Sequence, residues 1–200
     1  MNRNIFINCP FDDNYSAIFD AVLFTIYLCG CKPRCDLEID DGSQVRLNKI
    51  ISIIEESDMG IHDISRTEVN PNNLPRFNMP FEFGVFMGAK EFGKKKQSAK
   101  TCLIMDSGKY RFREFFSDIS GQDIKDHNSD AFQAIKNIRN WLNTYPSLRP
   151  LAGATAIIEK YKQYQLDRPA ILFNLRLVEK DVQYADRIQI VEQWIPLNPL

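Results

Sequence analysis

The sequence predicts an α/β fold: a five-stranded parallel sheet with helices on both faces, followed by a mainly helical C-terminal appendage. Short apolar runs rich in β-branched residues alternate five times, up to about residue 145, with segments whose apolar residues recur at helical spacing. Glycine or proline punctuates many of the junctions. After residue 146 the strand signal fades and helical patterns follow, which divides the chain into a sheet domain, 1–145, and an extension, 146–200.

NIFINCP, residues 4–10, is an apolar run closed by a proline and reads as the first strand. YSAIFDAVLFTIYLCG, 15–30, keeps apolar residues at helical spacing up to a glycine stop. CKPRCDLEID, 31–40, can supply a second strand. SQVRLNKIISIIEESD, 43–58, reads as a helix capped by Ser43 with Val45, Ile50, Ile53 and Ile54 inward, and MGIHDIS, 59–65, as a third strand.

RTEVNPNNLPRFNM, 66–79, is a polar loop with two prolines, Pro71 and Pro75. It leads into the helix PFEFGVFMGAKEFG, where Pro80 suits the first turn because its missing N–H would have no partner there. GKKKQSAK, 93–100, reads as a solvated connector, AKTCLIMD as the fourth strand, GQDIKDH as a short fifth and SDAFQAIKNIRNWLNTY as an amphipathic helix. LAGATAIIEKYKQYQ and VQYADRIQIVEQWI are helical in pattern, and AILFNLRL, between them, fits either helix or strand. This extension packs on the sheet domain or on a second subunit; the latter would make the chain a homo-oligomer.

Composition narrows the function classes. Twenty-five Lys and Arg face 26 Asp and Glu, a net charge of −1, so bulk charge gives no general attraction to nucleic acid or to an anionic membrane. No stretch approaches the roughly 20 apolar residues of a membrane helix, and MNRNIFIN lacks the apolar region of a secretory signal, so a cytoplasmic location is expected. Cys9, Cys29, Cys31, Cys35 and Cys102 are an odd number; Cys29, Cys31 and Cys35 are spaced like a metal cluster, but neither histidine is near them in sequence, and they read as small buried residues around a strand. CDLEIDDGSQ carries several acids but lacks a calcium-loop order, and an Asp-Gly-Ser turn explains it; neither a metal nor another cofactor is expected.

In open parallel sheets, ligands bind outside the carboxyl ends of the strands. The segments there are polar: NCPFDDNY, EIDDGS, HDISR and the loop leading to Glu82, and together they are expected to face one cleft. Glu82, among Phe81, Phe83 and Phe86, is the candidate catalytic carboxylate. First-turn amides favour its ionised form while its aromatic neighbours oppose it. Gly84, Gly88 and Ala89 would let that helix lie close to a strand. His62 and Asp63 point to opposite sides of their strand, His62 as a core histidine or a proton donor, Asp63 as a site residue or a turn residue. Arg66 and Arg76 read either as phosphate ligands or as partners of Asp40, Asp41 or Glu68. There is neither a GxGxxG after the first strand nor a P-loop.

The FINCPF opening, Asp63 in HDISR and the helix start Pro-Phe-Glu-Phe-Gly together resemble the nucleoside 2-deoxyribosyltransferase-like proteins, relatives of TIR-type NAD-cleaving domains. The likeness covers residues 3–142, and its specific part is Glu82 to Gly84 with Asp63. It implies a flavodoxin-like or TIR-like sheet and cleavage of an N-glycosidic bond, with Glu82 as nucleophile or stabiliser of the sugar cation and Asp63 holding a ribose hydroxyl or a base. Asn8, Pro10, Phe11, Asp41, Arg66, Arg76 and Asn78 are then the candidate substrate-binding residues. Where the deoxyribosyltransferases carry a second aspartate this chain has Arg76 and Asn78, and where they carry an early tyrosine it has Phe6, Asn8 and Phe11. The resemblance also implies a nucleotide or nucleoside as substrate and a role in bacterial defence against phage, or, if no chemistry occurs, a nucleotide-binding sensor or adaptor. Bond breaking is compatible with the residues, because a carboxylate near the anomeric carbon stabilises developing positive charge. A cationic nicotinamide leaves unaided, whereas a neutral purine needs an acid, for which His62, Asp63 and Asp41 are the candidates.

Overall fold

The computed structural model describes residues 3–67, 69 and 72–200. Glu68, an expected partner of the loop arginines, and Pro71 lie outside the described residues. The strands are β1 (Asn4–Asn8), β2 (Lys32–Arg34), β3 (Met59–Asp63), β4 (Thr101–Asp106) and β5 (Lys125–Asp126). The helices are α1 (Ser16–Leu28), α2 (Arg46–Glu56), α3 (Asn78–Phe92), α4 (Ala131–Leu142), α5 (Ala154–Leu175) and α6 (Tyr184–Leu197). Strand order is β2-β1-β3-β4-β5 and all four pairings are parallel. This is the flavodoxin-like order, whose direction of winding reverses between β1 and β3.

Alternation along the strands makes the two faces. Ile5, Ile7, Met59, Ile61, Leu103 and Met105 join the core under α1 and α4, while Phe6 packs with Ile50, Ile53, Ile54 and Phe86 of α2 and α3. Pro33 is tolerated in β2 because that strand is an edge. No helix among the described residues is long and apolar enough to cross a membrane.

The C-terminal segment shares the main core. Tyr161, Tyr164 and Trp194 place their rings 5.2, 5.2 and 5.9 Å from that of Phe24 on α1. Asp20, also on α1, pairs with Arg168 of α5 at 2.7 Å and with Arg187 of α6. The ambiguous AILFNLRL is helical through Leu175: α5 continues through Pro169 because Arg168 is held by Asp20 and Leu172 is buried beyond it.

Local expectations are corrected at five places. Ser43 does not cap α2; its N–H and hydroxyl both bond Asp41 Oδ1 in a turn, the helix begins at Arg46, and Val45 is 63 % exposed. Helix α3 starts at Asn78, two residues early, which puts Glu82 in its second turn, beyond most of the terminal dipole's reach. Gly84 and Gly88 do not mediate a close approach, since a Cβ at either meets nothing within 4 Å. The tight contact is at Gly60 on β3, where a Cβ would fall 2.6 Å from His62 Nε2 and 2.9 Å from the Phe86 ring. Lys100, at the end of the supposed solvated connector, is fully buried and donates to the carbonyls of Ile54 and Ser57.

Candidate functional site

Among the described residues, the polar segments after β1 and β3 and the loop leading to Glu82 line three hollows. The first, about 220 Å³, lies between α2 and α3 and is lined by Arg46, Leu47, Ile50, Asn78, Phe81 and Glu82. Glu82 is 8 % exposed, and no described residue donates a hydrogen bond to its carboxyl. Its nearest cation is Arg46, whose Nη2 lies 3.7 Å from Oε1. Burial raises its pKa to about 7, helped by the charge of Asp36 and opposed by Arg46. Leu47, Ile50 and Phe81 supply the apolar walls of the hollow, and Arg46, Asn78 and Glu82 its polar groups.

Asp63 is elsewhere. It projects from the opposite face of β3, has no exposed surface, and both oxygens are occupied. Ser65 N–H donates to Oδ1 at 2.9 Å and the Tyr15 hydroxyl to Oδ2 at 2.7 Å. His127 Nε2 faces Oδ2 at 2.9 Å, and Ser129 N–H donates to its Nδ1. Burial alone would raise the Asp63 carboxyl, but His127, Ser65 and Tyr15 hold it below the usual range. Above it lies a second hollow of about 320 Å³, lined by hydroxyls and amides of Asn14, Tyr15, Ser65, Ser107 and Ser129 with Arg66 and His127. Asp63 is its sealed underlayer, closed to a ribose hydroxyl or a base in this arrangement.

Pro10 and Phe11 line a third hollow of about 660 Å³, against Tyr184 and Arg187 of α6. Asn8 is buried and donates from Nδ2 to the Met79 carbonyl at 2.8 Å, and the same group contacts His62 Nδ1 at 3.2 Å. It fastens the end of β1 to the start of α3. His62 is enclosed by Phe6, Phe83 and Phe86, and burial lowers its pKa to about 3, so it is a neutral core residue and not an acid. Arg66 holds Asp12 at 2.6 Å, with Arg76 3.6 Å from the same carboxylate. The sequence offered Asp40, Asp41 and Glu68 as partners for these arginines and overlooked Asp12. Asp41 is on the surface, kept below the usual carboxylate range by Ser43. Of the expected residues, only Asn78 shares the hollow of Glu82.

Four contributors escaped the sequence reading. Arg46 and Asp36 meet at 2.7 Å beside Glu82, and Tyr15 and His127 close over Asp63. His127 is one of only two histidines, which was a usable signal; the others depend on loop paths that spacing does not encode. Among the described residues no group of His, Cys, Asp and Glu could hold a metal ion. No family model, curated protein or solved structure matches this chain.

Proposed function

We propose that the chain is an N-glycosidase acting on the ribosyl–base bond of NAD or of a related nucleotide or nucleoside, with Glu82 as its catalytic carboxyl. One observation carries the reading: a nearly buried carboxyl that no described neighbour hydrogen-bonds opens onto an apolar hollow at the rim of the sheet. Buried polar groups are ordinarily partnered, and an unpartnered one marks a place where a ligand supplies the contact. Leu47, Ile50 and Phe81 can enclose a base, leaving the sugar near Glu82 and Arg46.

The test is release of free base from NAD and from a panel of nucleosides, followed by chromatography, for the wild type and for Glu82→Gln. Product that vanishes in the variant supports the assignment, and equal turnover refutes it.

A nucleotide-holding sensor or adaptor is the second reading, favoured by one specific feature: Asp63, the other acid of the resemblance, is saturated by Tyr15, Ser65 and His127. Nucleotide that copurifies intact and stays intact for hours would decide for it.

A further inference from the structure

Arg46 reaches two carboxylates with a single nitrogen. Its Nη2 lies 2.7 Å from Asp36 Oδ2 and 3.7 Å from Glu82 Oε1. Both acids are 8 % exposed, and they come from different parts of the chain, Asp36 from a short 3-10 turn after β2 and Glu82 from α3. The groups facing the Glu82 carboxyl are Arg46 on α2, Asp36 and the Cys9 thiol at the end of β1. One guanidinium cannot offset two buried negative charges, and the nearer acid takes it. Ionising the second, which no described residue supplies with a hydrogen-bond donor, is opposed by its burial and by the charge of the first.

We propose that Asp36 and Glu82 work as a pair on Arg46, Asp36 holding the guanidinium and Glu82 left as the proton donor of the site, and that the hollow takes N-glycosides whose base is neutral while bound to the sugar. The inference rests on the N-glycosidase reading and narrows its substrate class. The Glu82 proton passes to a ring nitrogen of the base as the bond from C1′ to the base nitrogen breaks, and that bond's electron pair departs with the base. Water then adds its oxygen to C1′ and gives a proton to the Glu82 carboxylate, which restores the starting carboxyl. Asp36 touches neither sugar nor base. It is a positioning residue, holding Arg46 and opposing the ionisation of Glu82. The other acids the sequence offered for this step are out of reach: His62 is enclosed by phenylalanines, Asp63 is sealed, and Asp41 is a surface turn residue. A base that is already cationic in the glycoside, such as a pyridinium, departs as a neutral molecule without help and gains nothing from the proton.

The test combines two measurements on the full chain. Titration of the Glu82 side-chain carboxyl by carbon-13 NMR, assigned with Glu82→Gln, should show a midpoint that falls in Asp36→Asn, stays in Asp36→Glu and rises in Arg46→Gln. Base release from inosine, whose base is neutral, should fall about tenfold per pH unit above the midpoint, and NAD should be the poorer substrate. A midpoint unmoved in Asp36→Asn overturns the pairing. Cleavage of NAD without cleavage of inosine overturns the inference while leaving the N-glycosidase reading intact. Absence of base from both substrates overturns both.

Discussion

The Tyr15 hydroxyl donates a 2.7 Å hydrogen bond to Asp63, joining the start of α1 to the end of β3 where both residues are buried. With Ser65 N–H and His127 on the same carboxylate, this fixes the polar ends of the central strands. Asp63→Asn would present an amide to the Tyr15 hydroxyl and the Ser65 N–H, which both donate, leaving at least one buried donor unpaired. It should cost about 3 kcal/mol in urea unfolding, against about 1 kcal/mol for Tyr15→Phe. Equal, small losses would show that the cluster holds little of the fold.

Glu82 gives a pH-dependent stability with a definite sign. Its folded pKa, about 7, lies above its ordinary value of 4.5, so the folded state binds the proton more tightly. The contribution is fully present below pH 4.5 and is lost as pH rises through 7. Glu82→Gln, which cannot ionise, should therefore be more stable than the wild type at pH 8 by about 1 to 3 kcal/mol, and the two should converge near pH 4.5. Thermal unfolding across that range checks it; a constant difference would place the carboxyl in water.

Lys100 donates to the carbonyls of Ile54 and Ser57 and lies 5.4 Å from the centre of the Phe86 ring. Burial lowers its pKa to about 8. Lys100→Met keeps the length and removes the donors, so two carbonyls lose partners and unfolding should become easier by about 2 to 4 kcal/mol. A denaturant midpoint within error of wild type would refute that anchoring.

Ending the chain after residue 145 should abolish cooperative folding, although the alternating pattern stops there. Tyr161, Tyr164 and Trp194 would no longer cover Phe24, and Asp20 would lose both arginines on a face left apolar. Calorimetry of the shortened chain should show no single unfolding transition; a sharp one would make residues 146–200 a separable appendage.

The order of strands and helices was legible because period-2 and period-3.6 patterns are local properties, and the short fifth strand and the helical ending came with them. Helix starts were less so: α2 begins without a side-chain cap and α3 two residues early, since burial of Ile50 and Phe83, and not end chemistry, sets where those helices run. The site was half legible. Glu82 stood out as an acid among phenylalanines, but its neighbours Asp36 and Arg46 lie in the segment read as a surface turn and helix start.

By itself, then, the sequence determined the α/β class, the opposite orientations of His62 and Asp63 and the presence of an unusual carboxyl at Glu82. Tertiary structure alone decided which groups meet it: Arg46 shared with Asp36 on one face, Tyr15 and His127 sealing Asp63 on the other. The physical reason is range. Backbone periodicity is set by neighbours a few residues apart, whereas the charge state of a buried acid depends on groups that the chain brings together from distant positions.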